Sequence, residues 1–131
     1  MIFVDTGAWF AAFVESDPNH ESATRWRRAN RERLITTDYI LDETLTLLRA
    51  RDQYDIALRF GLLAFGGRLA DVHFLSPDTI LEAWQVLQRF SDKGWSFTDC
   101  TSRVVMGRLG ITAAFAFDNH FRQFGTVLVV P

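Results

Sequence analysis

Ile2-Phe3-Val4-Asp5-Thr6-Gly7-Ala8-Trp9-Phe10-Ala11-Ala12-Phe13-Val14 sets an acid between two apolar runs. The first run has the length of a short buried strand, Ile2 to Val4. The second predicts a short apolar helix from Gly7 to Val14. Asp5 therefore stands where a strand hands over to a helix. The same succession returns along the chain. Leu34-Ile35-Thr36 predicts a second strand. Thr37 and Asp38 then offer N-cap oxygens to a helix from Tyr39 to about Arg51, with Ile40, Leu41, Leu45, Leu47 and Leu48 as its apolar stripe. Val72 to Leu75 predicts a third strand. Ser76-Pro77-Asp78 opens the helix after it, which runs through Phe90 with Ile80, Trp84, Leu87 and Phe90 on one side. After the loop Ser91 to Trp95, Ser96 and Asp99 stand in capping-box spacing before a helix to Leu109, ended by Gly110. Ala113 to Phe117 and Val127 to Val130 supply the last two strands. Two further helices, His20 to Arg31 and Asp55 to Phe65, complete the pattern, the second stopped by Gly66-Gly67. Strands alternating with helices imply an α/β fold of three layers, α/β/α, around a central parallel sheet of about five strands.

Bulk properties agree with this. A chain of 131 residues suits one domain, and 12 Phe and 4 Trp give ample core material. Low-complexity tracts are absent. The start Met1-Ile-Phe-Val-Asp5 lacks the basic leader and long apolar run of a signal peptide, and no stretch reaches the ~20 apolar residues of a membrane span. Cytoplasm is the expected address. Cys100 is the single cysteine, which excludes an internal disulfide and a zinc–thiolate cluster. The net charge of −2 does not mark a nucleic-acid binder, but 13 of the 14 basic residues are Arg, and Arg25, Arg27, Arg28, Arg31 and Arg33 fall close together. Such a run reads either as a solvated helix face or as a phosphate-contacting patch.

Ligand crevices of parallel sheets lie beyond the carboxyl ends of the strands. Asp5 directly follows the first strand, and Asp118 directly follows the predicted fourth. Asp99 begins a helix that leads into that fourth strand. Glu43 lies near the start of the helix after the second strand, beside Ile40 and Leu47, whereas Asp42 is neighboured by Thr46 and Arg49 and faces solvent. Each acid alone reads as a turn or cap residue. Four of them on one sheet edge repel unless a cation neutralises them. Carboxylates without a His/Cys cluster select hard cations, Mg²⁺ or Mn²⁺, and phosphodiester hydrolysis is the reaction such a site suits. His20, His73 and His120 form no ligand set. His120, close behind Asp118, is read as a loop residue.

Four segments carry a resemblance: Ile2-Phe3-Val4-Asp5-Thr6, Thr37-Asp38-Tyr39-Ile40-Leu41-Asp42-Glu43, Asp92-Lys93-Gly94-Trp95-Ser96-Phe97-Thr98-Asp99 and Phe117-Asp118-Asn119-His120-Phe121. In this order and spacing the chain resembles the PIN-domain family, and within it the VapC-type toxins of toxin–antitoxin pairs. The resemblance spans the chain, so that residues 1–131 are expected to form one PIN domain. It implies a PIN-like α/β/α fold and a Mg²⁺-dependent endoribonuclease acting on RNA. It also implies a homodimer, silenced by a VapB-type antitoxin. It carries acidic-site roles to Asp5, Glu43, Asp99 and Asp118, with Asp5 and Asp99 as the metal ligands. Gly7 departs from a common Ser, and Cys100 from a common Ala.

Three other readings compete with this one. Asp5-Thr6-Gly7-Ala8 spells an aspartic-protease signature, but those enzymes are all-β and this chain carries at least five helical patterns. A phosphoaspartate mechanism at Asp5 lacks the second acid at position 7, and Lys93 is misplaced for a receiver domain. The third is a catalytically weak PIN-fold module that binds RNA or antitoxin without cutting. The presence of all four acids argues against it. Trp9, Phe13 and Trp26 read as core, with a dimer or antitoxin surface as the alternative.

Overall fold

The computed structural model describes residues 1–131 and has the expected α/β architecture. In chain order the elements are β1 (Ile2–Val4), α1 (Thr6–Phe13), α2 (His20–Ala29), β2 (Leu34–Thr37), α3 (Asp38–Ala50), α4 (Tyr54–Phe65), β3 (Asp71–His73), α5 (Pro77–Arg89), α6 (Phe97–Leu109), β4 (Ala113–Phe115), a short 3-10 helix (Asn119–Gln123) and β5 (Leu128–Val130). All neighbouring strands run parallel, in the order β3-β2-β1-β4-β5. The connections run outward from β1 to β2 and β3 on one side, and from β4 to β5 on the other. The order therefore reverses between β1 and β4, and a crevice opens beyond the carboxyl ends of such a pair.

Burial explains why these segments become these elements. β1 is buried along its whole length, as a central parallel strand must be. Thr37 caps α3 by accepting from the Ile40 amide at 3.1 Å. Gly110 ends α6 with φ +67, a left-handed conformation that glycine adopts without a Cβ penalty. The main core joins β1, β2 and β4 to α1, α3 and α4, with Phe3, Trp9, Phe60 and Phe115 fully buried. Trp9 and Phe13 belong to this core, and Trp26 stacks on Phe115 at 4.2 Å, which decides the core reading for all three. A second, smaller cluster of Ala83, Val86, Trp95, Cys100 and Val104 holds α5 to α6. Cys100 there acts as a small apolar residue.

Four local expectations are corrected. The residues that α5 buries are Thr79, Ala83 and Val86; of the expected stripe Leu87 and Phe90 pack partly buried against the same cluster, while Trp84 is 51% exposed. Small side chains let α5 approach α6 closely, and Arg108 of α6 donates to Thr79 Oγ1. β3 starts and stops earlier, because the Leu75 amide turns to Asp38 Oδ1 at 3.0 Å. α2 ends at Ala29, before the predicted Arg31. β4 ends at Phe115 rather than Phe117, so Asp118 lies three residues beyond the strand and starts a 3-10 helix absent from the sequence reading.

Candidate active site

The carboxyl edge of the sheet forms a polar cleft of about 340 Å³ with no hydrophobic side chain in its wall. Asp5, Glu43, Asp99 and Asp118 all line it, with Thr6, Gly7, Gly94, Ser96 and His120 between them. Asp42 is exposed and outside the cleft wall. Helix geometry thus separates two adjacent acids as expected.

Three of the acids are placed by different local devices. Asp5 follows β1 directly; its amide donates to the Phe115 carbonyl of β4 at 3.1 Å, and its own carbonyl accepts from Trp9 to begin α1. Asp99 sits at the third position of α6 inside a complete capping box. Its amide donates to Ser96 Oγ at 3.0 Å, and its Oδ2 accepts from the Ser96 amide at 3.0 Å. Trp95 anchors the loop before Ser96 by packing on Phe90 and Phe124 and donating from Nε1 to Gln123 Oε1 at 2.8 Å. Gly94, with φ +69, turns that loop into the cleft wall. Asp118 caps the 3-10 helix, accepting from the His120 amide at 2.9 Å. Fully buried Phe121 ties this turn to Phe3 and Phe124.

His120 is the residue that sequence reading left out of the site. Its Nδ1 lies 2.8 Å from Asp99 Oδ2 and 3.4 Å from Asp118 Oδ1. The signal was its place two residues after Asp118, but nothing local revealed that α6 would bring Asp99 beside it.

The electrostatics of the cleft favour a positive guest. Burial pushes the Asp5 carboxyl up to about 8, opposed by the Thr6 amide and reinforced by the charges of Asp99, Glu43 and Asp118. Thr6 Oγ1 is buried with no hydrogen-bond partner, although Thr6 lines the cleft. A cation carrying waters would answer both features: its charge replaces the proton on Asp5, and a coordinated water can donate to Thr6. No three His, Cys, Asp or Glu side chains close around a single point. Mg²⁺ takes one or two carboxylates and keeps several waters, and Asp5 and Asp99 both line the cleft. A Cβ at Gly7 would meet no atom within 4 Å, so the glycine leaves open space where a hydroxyl-bearing residue would fit.

The arginine run is largely engaged within the chain. Arg25 pairs with Glu21 and Arg33 with Asp71. Arg27 lies over Trp9 and Phe13, and Arg31 donates to the carbonyls of Arg28 and Asn30. None of the five lines the acidic cleft.

Comparison with known proteins matches this geometry to a family. Residues 2–127 match the PIN domain model. The chain is 34% identical over 131 residues to the 23S rRNA-specific endonuclease VapC20 of Mycobacterium tuberculosis, covering 100% of this chain and 99% of that protein. It is 27% identical over 128 residues to a VapC ribonuclease of Archaeoglobus fulgidus, covering 90% of this chain and 77% of that one. The crystal structure of the mycobacterial VapC20, described as a sarcin-ricin loop cleaving toxin, superposes with a TM-score of 0.93 over 100% of both chains.

Proposed function

The chain belongs to the PIN-domain family, and from that premise we propose that it cuts RNA at the acidic cleft with Mg²⁺ or Mn²⁺ held by Asp5 and Asp99. It is a VapC-type endoribonuclease. Residues 1–131 act as one PIN domain. The observation that carries the site assignment is the convergence of Asp5, Glu43, Asp99 and Asp118 on one cleft that has no apolar wall.

When bound, a divalent cation polarises a phosphate and acidifies a coordinated water. The chain's own residues do the rest. Asp5 and Asp99 give the cleft its anionic floor. Glu43, half-buried on α3, accepts a proton from the attacking water as its oxygen bonds to phosphorus, and the ribose oxygen whose P–O bond breaks takes a proton from solvent. Thr6 Oγ1 accepts a hydrogen bond from a water in the cleft. Asp118 holds the turn that carries His120. By likeness to VapC20 across the whole chain, the target is a structured loop of 23S ribosomal RNA.

Incubation of the purified protein with ribosomes and with total RNA tests this. Cleavage is expected with added Mg²⁺ or Mn²⁺ and not in EDTA, with cut ends mapping to one loop of the large ribosomal RNA. Cutting that persists in EDTA overturns the metal assignment. Cuts spread over unrelated RNAs overturn the ribosomal target.

Two partners complete the proposal. A VapB-type antitoxin silences the enzyme, and two copies of the chain form a homodimer. An apolar stripe on α4 supports the dimer: Leu58, Leu62 and Phe65 share one helix face, with Leu62 79% and Phe65 61% exposed. Leu62→Glu is expected to sediment as a monomer where the native chain sediments as a dimer. A native chain that is already monomeric at the same concentration counts against the pairing. No helix is long and apolar enough to cross a membrane.

A further inference from the structure

The structure treats the two oxygens of Asp99 differently. Both hydrogen bonds that the carboxylate accepts fall on Oδ2, from the Ser96 amide at 3.0 Å and from His120 Nδ1 at 2.8 Å. An ionised carboxylate can only accept, so the hydrogen of this contact is on Nδ1. The ring reaches Asp99 because the 3-10 helix is fixed at both sides of it. Asp118 Oδ1 takes the His120 amide, and the next residue, Phe121, is fully buried. Nδ1 is nearer to Asp99 than to Asp118, at 2.8 against 3.4 Å.

We propose that His120 is a positioning residue: with the Ser96 amide it holds Asp99 by Oδ2 and leaves Oδ1 as the single oxygen offered to the cation. This rests on the cation site proposed above. One-oxygen presentation suits a small octahedral ion that retains its waters, whereas a carboxylate free to turn can chelate with both oxygens, as larger cations prefer. Partners of this kind, one step behind the ligand, fix its orientation and its affinity.

The test measures binding of Mn²⁺ alone to the EDTA-stripped full chain by calorimetry at one pH, without RNA. His120→Ala is expected to weaken Mn²⁺ binding about tenfold, the usual loss for an orienting partner. His120→Asn sets an amide N–H close to where Nδ1 stands and is expected to restore affinity to within about threefold. His120→Gln keeps the bulk but moves the amide by one carbon, so it should bind as weakly as His120→Ala; it takes that variant's place if His120→Ala does not fold. Circular dichroism spectra in EDTA should match the native chain for the folded variants, and affinities are compared at a temperature where each is fully folded. Unchanged Mn²⁺ affinity without the imidazole overturns the proposal, and so does a His120→Asn variant as weak as the misplaced-donor variant. A native chain that does not bind Mn²⁺ removes the cation site itself, and the role of His120 with it.

Discussion

Asp99→Asn is expected to lower RNA cleavage by at least about a hundredfold while leaving the protein folded. An outer partner of a metal ligand costs roughly 10–100-fold, and a ligand costs more. The fold survives because asparagine keeps one oxygen, which can still accept from the Ser96 amide and preserve the capping box. Its amide NH₂ then occupies the place of the free oxygen and presents donors to a cation. Asp99→Ala would also lose the cap, at about 1 kcal/mol, so the asparagine variant separates chemistry from stability. Glu43→Gln is expected to follow it in lost cleavage, and Asp42→Asn to cut like the native chain, because only the first of these two neighbours lines the cleft. Cleavage rates on ribosomal RNA, alongside circular dichroism spectra, provide the measurement. Native rates in Asp99→Asn would remove that residue from the site. A weak, non-cutting binding module, by contrast, would show no loss in any variant.

Asp5→Asn is expected to stabilise the metal-free protein, by an amount that grows with pH. Burial holds the folded carboxyl up at about 8, far above the 3.8 of an exposed aspartate. Folded protein therefore retains a proton that the unfolded chain has released, and the stability associated with it is fully present below about pH 4 and is lost as pH rises through about 8. The native chain should lose up to about 1.4 kcal/mol per pH unit across this window, a slope that the neutral asparagine lacks. Urea unfolding in EDTA at pH 5 and pH 8 is expected to show the variant's advantage widening by about 2–4 kcal/mol. Saturating Mn²⁺ should offset most of that advantage, since a ligand that binds only the folded state adds about 2.7 kcal/mol at a hundred times its dissociation constant. Parallel pH profiles for the two proteins would mean that Asp5 is not buried among like charges.

Much of this was legible in the chain because it rests on short-range rules. Ser96 and Asp99 are three residues apart, and a capping box needs nothing further. Glu43 and Asp42 are sorted by the stripe of their own helix. Periodicity misses part of the α5 face because Thr79 and Ala83 lack the apolar bulk that it counts. Their burial comes from close approach to α6, a property of two helices and not of one. Asp118 was placed on the correct edge, but its backbone had already left the sheet and entered a 3-10 helix.

By itself the sequence determined the alternation of strand, acid and helix, hence a parallel sheet with its acids at the carboxyl edge. It also determined which four carboxylates belong together, since periodicity and capping act over a few residues and leave local marks. Only the tertiary structure decided what those carboxylates face. The reversal of strand order between β1 and β4 opens the crevice that Asp5 and Asp118 both line. The return of α6 to that crevice brings Asp99 to His120 across 21 positions of chain. Burial of Asp5, the unpartnered Thr6 hydroxyl and the one-sided hold on Asp99 arise from packing between elements distant in sequence, where no local periodicity can record them.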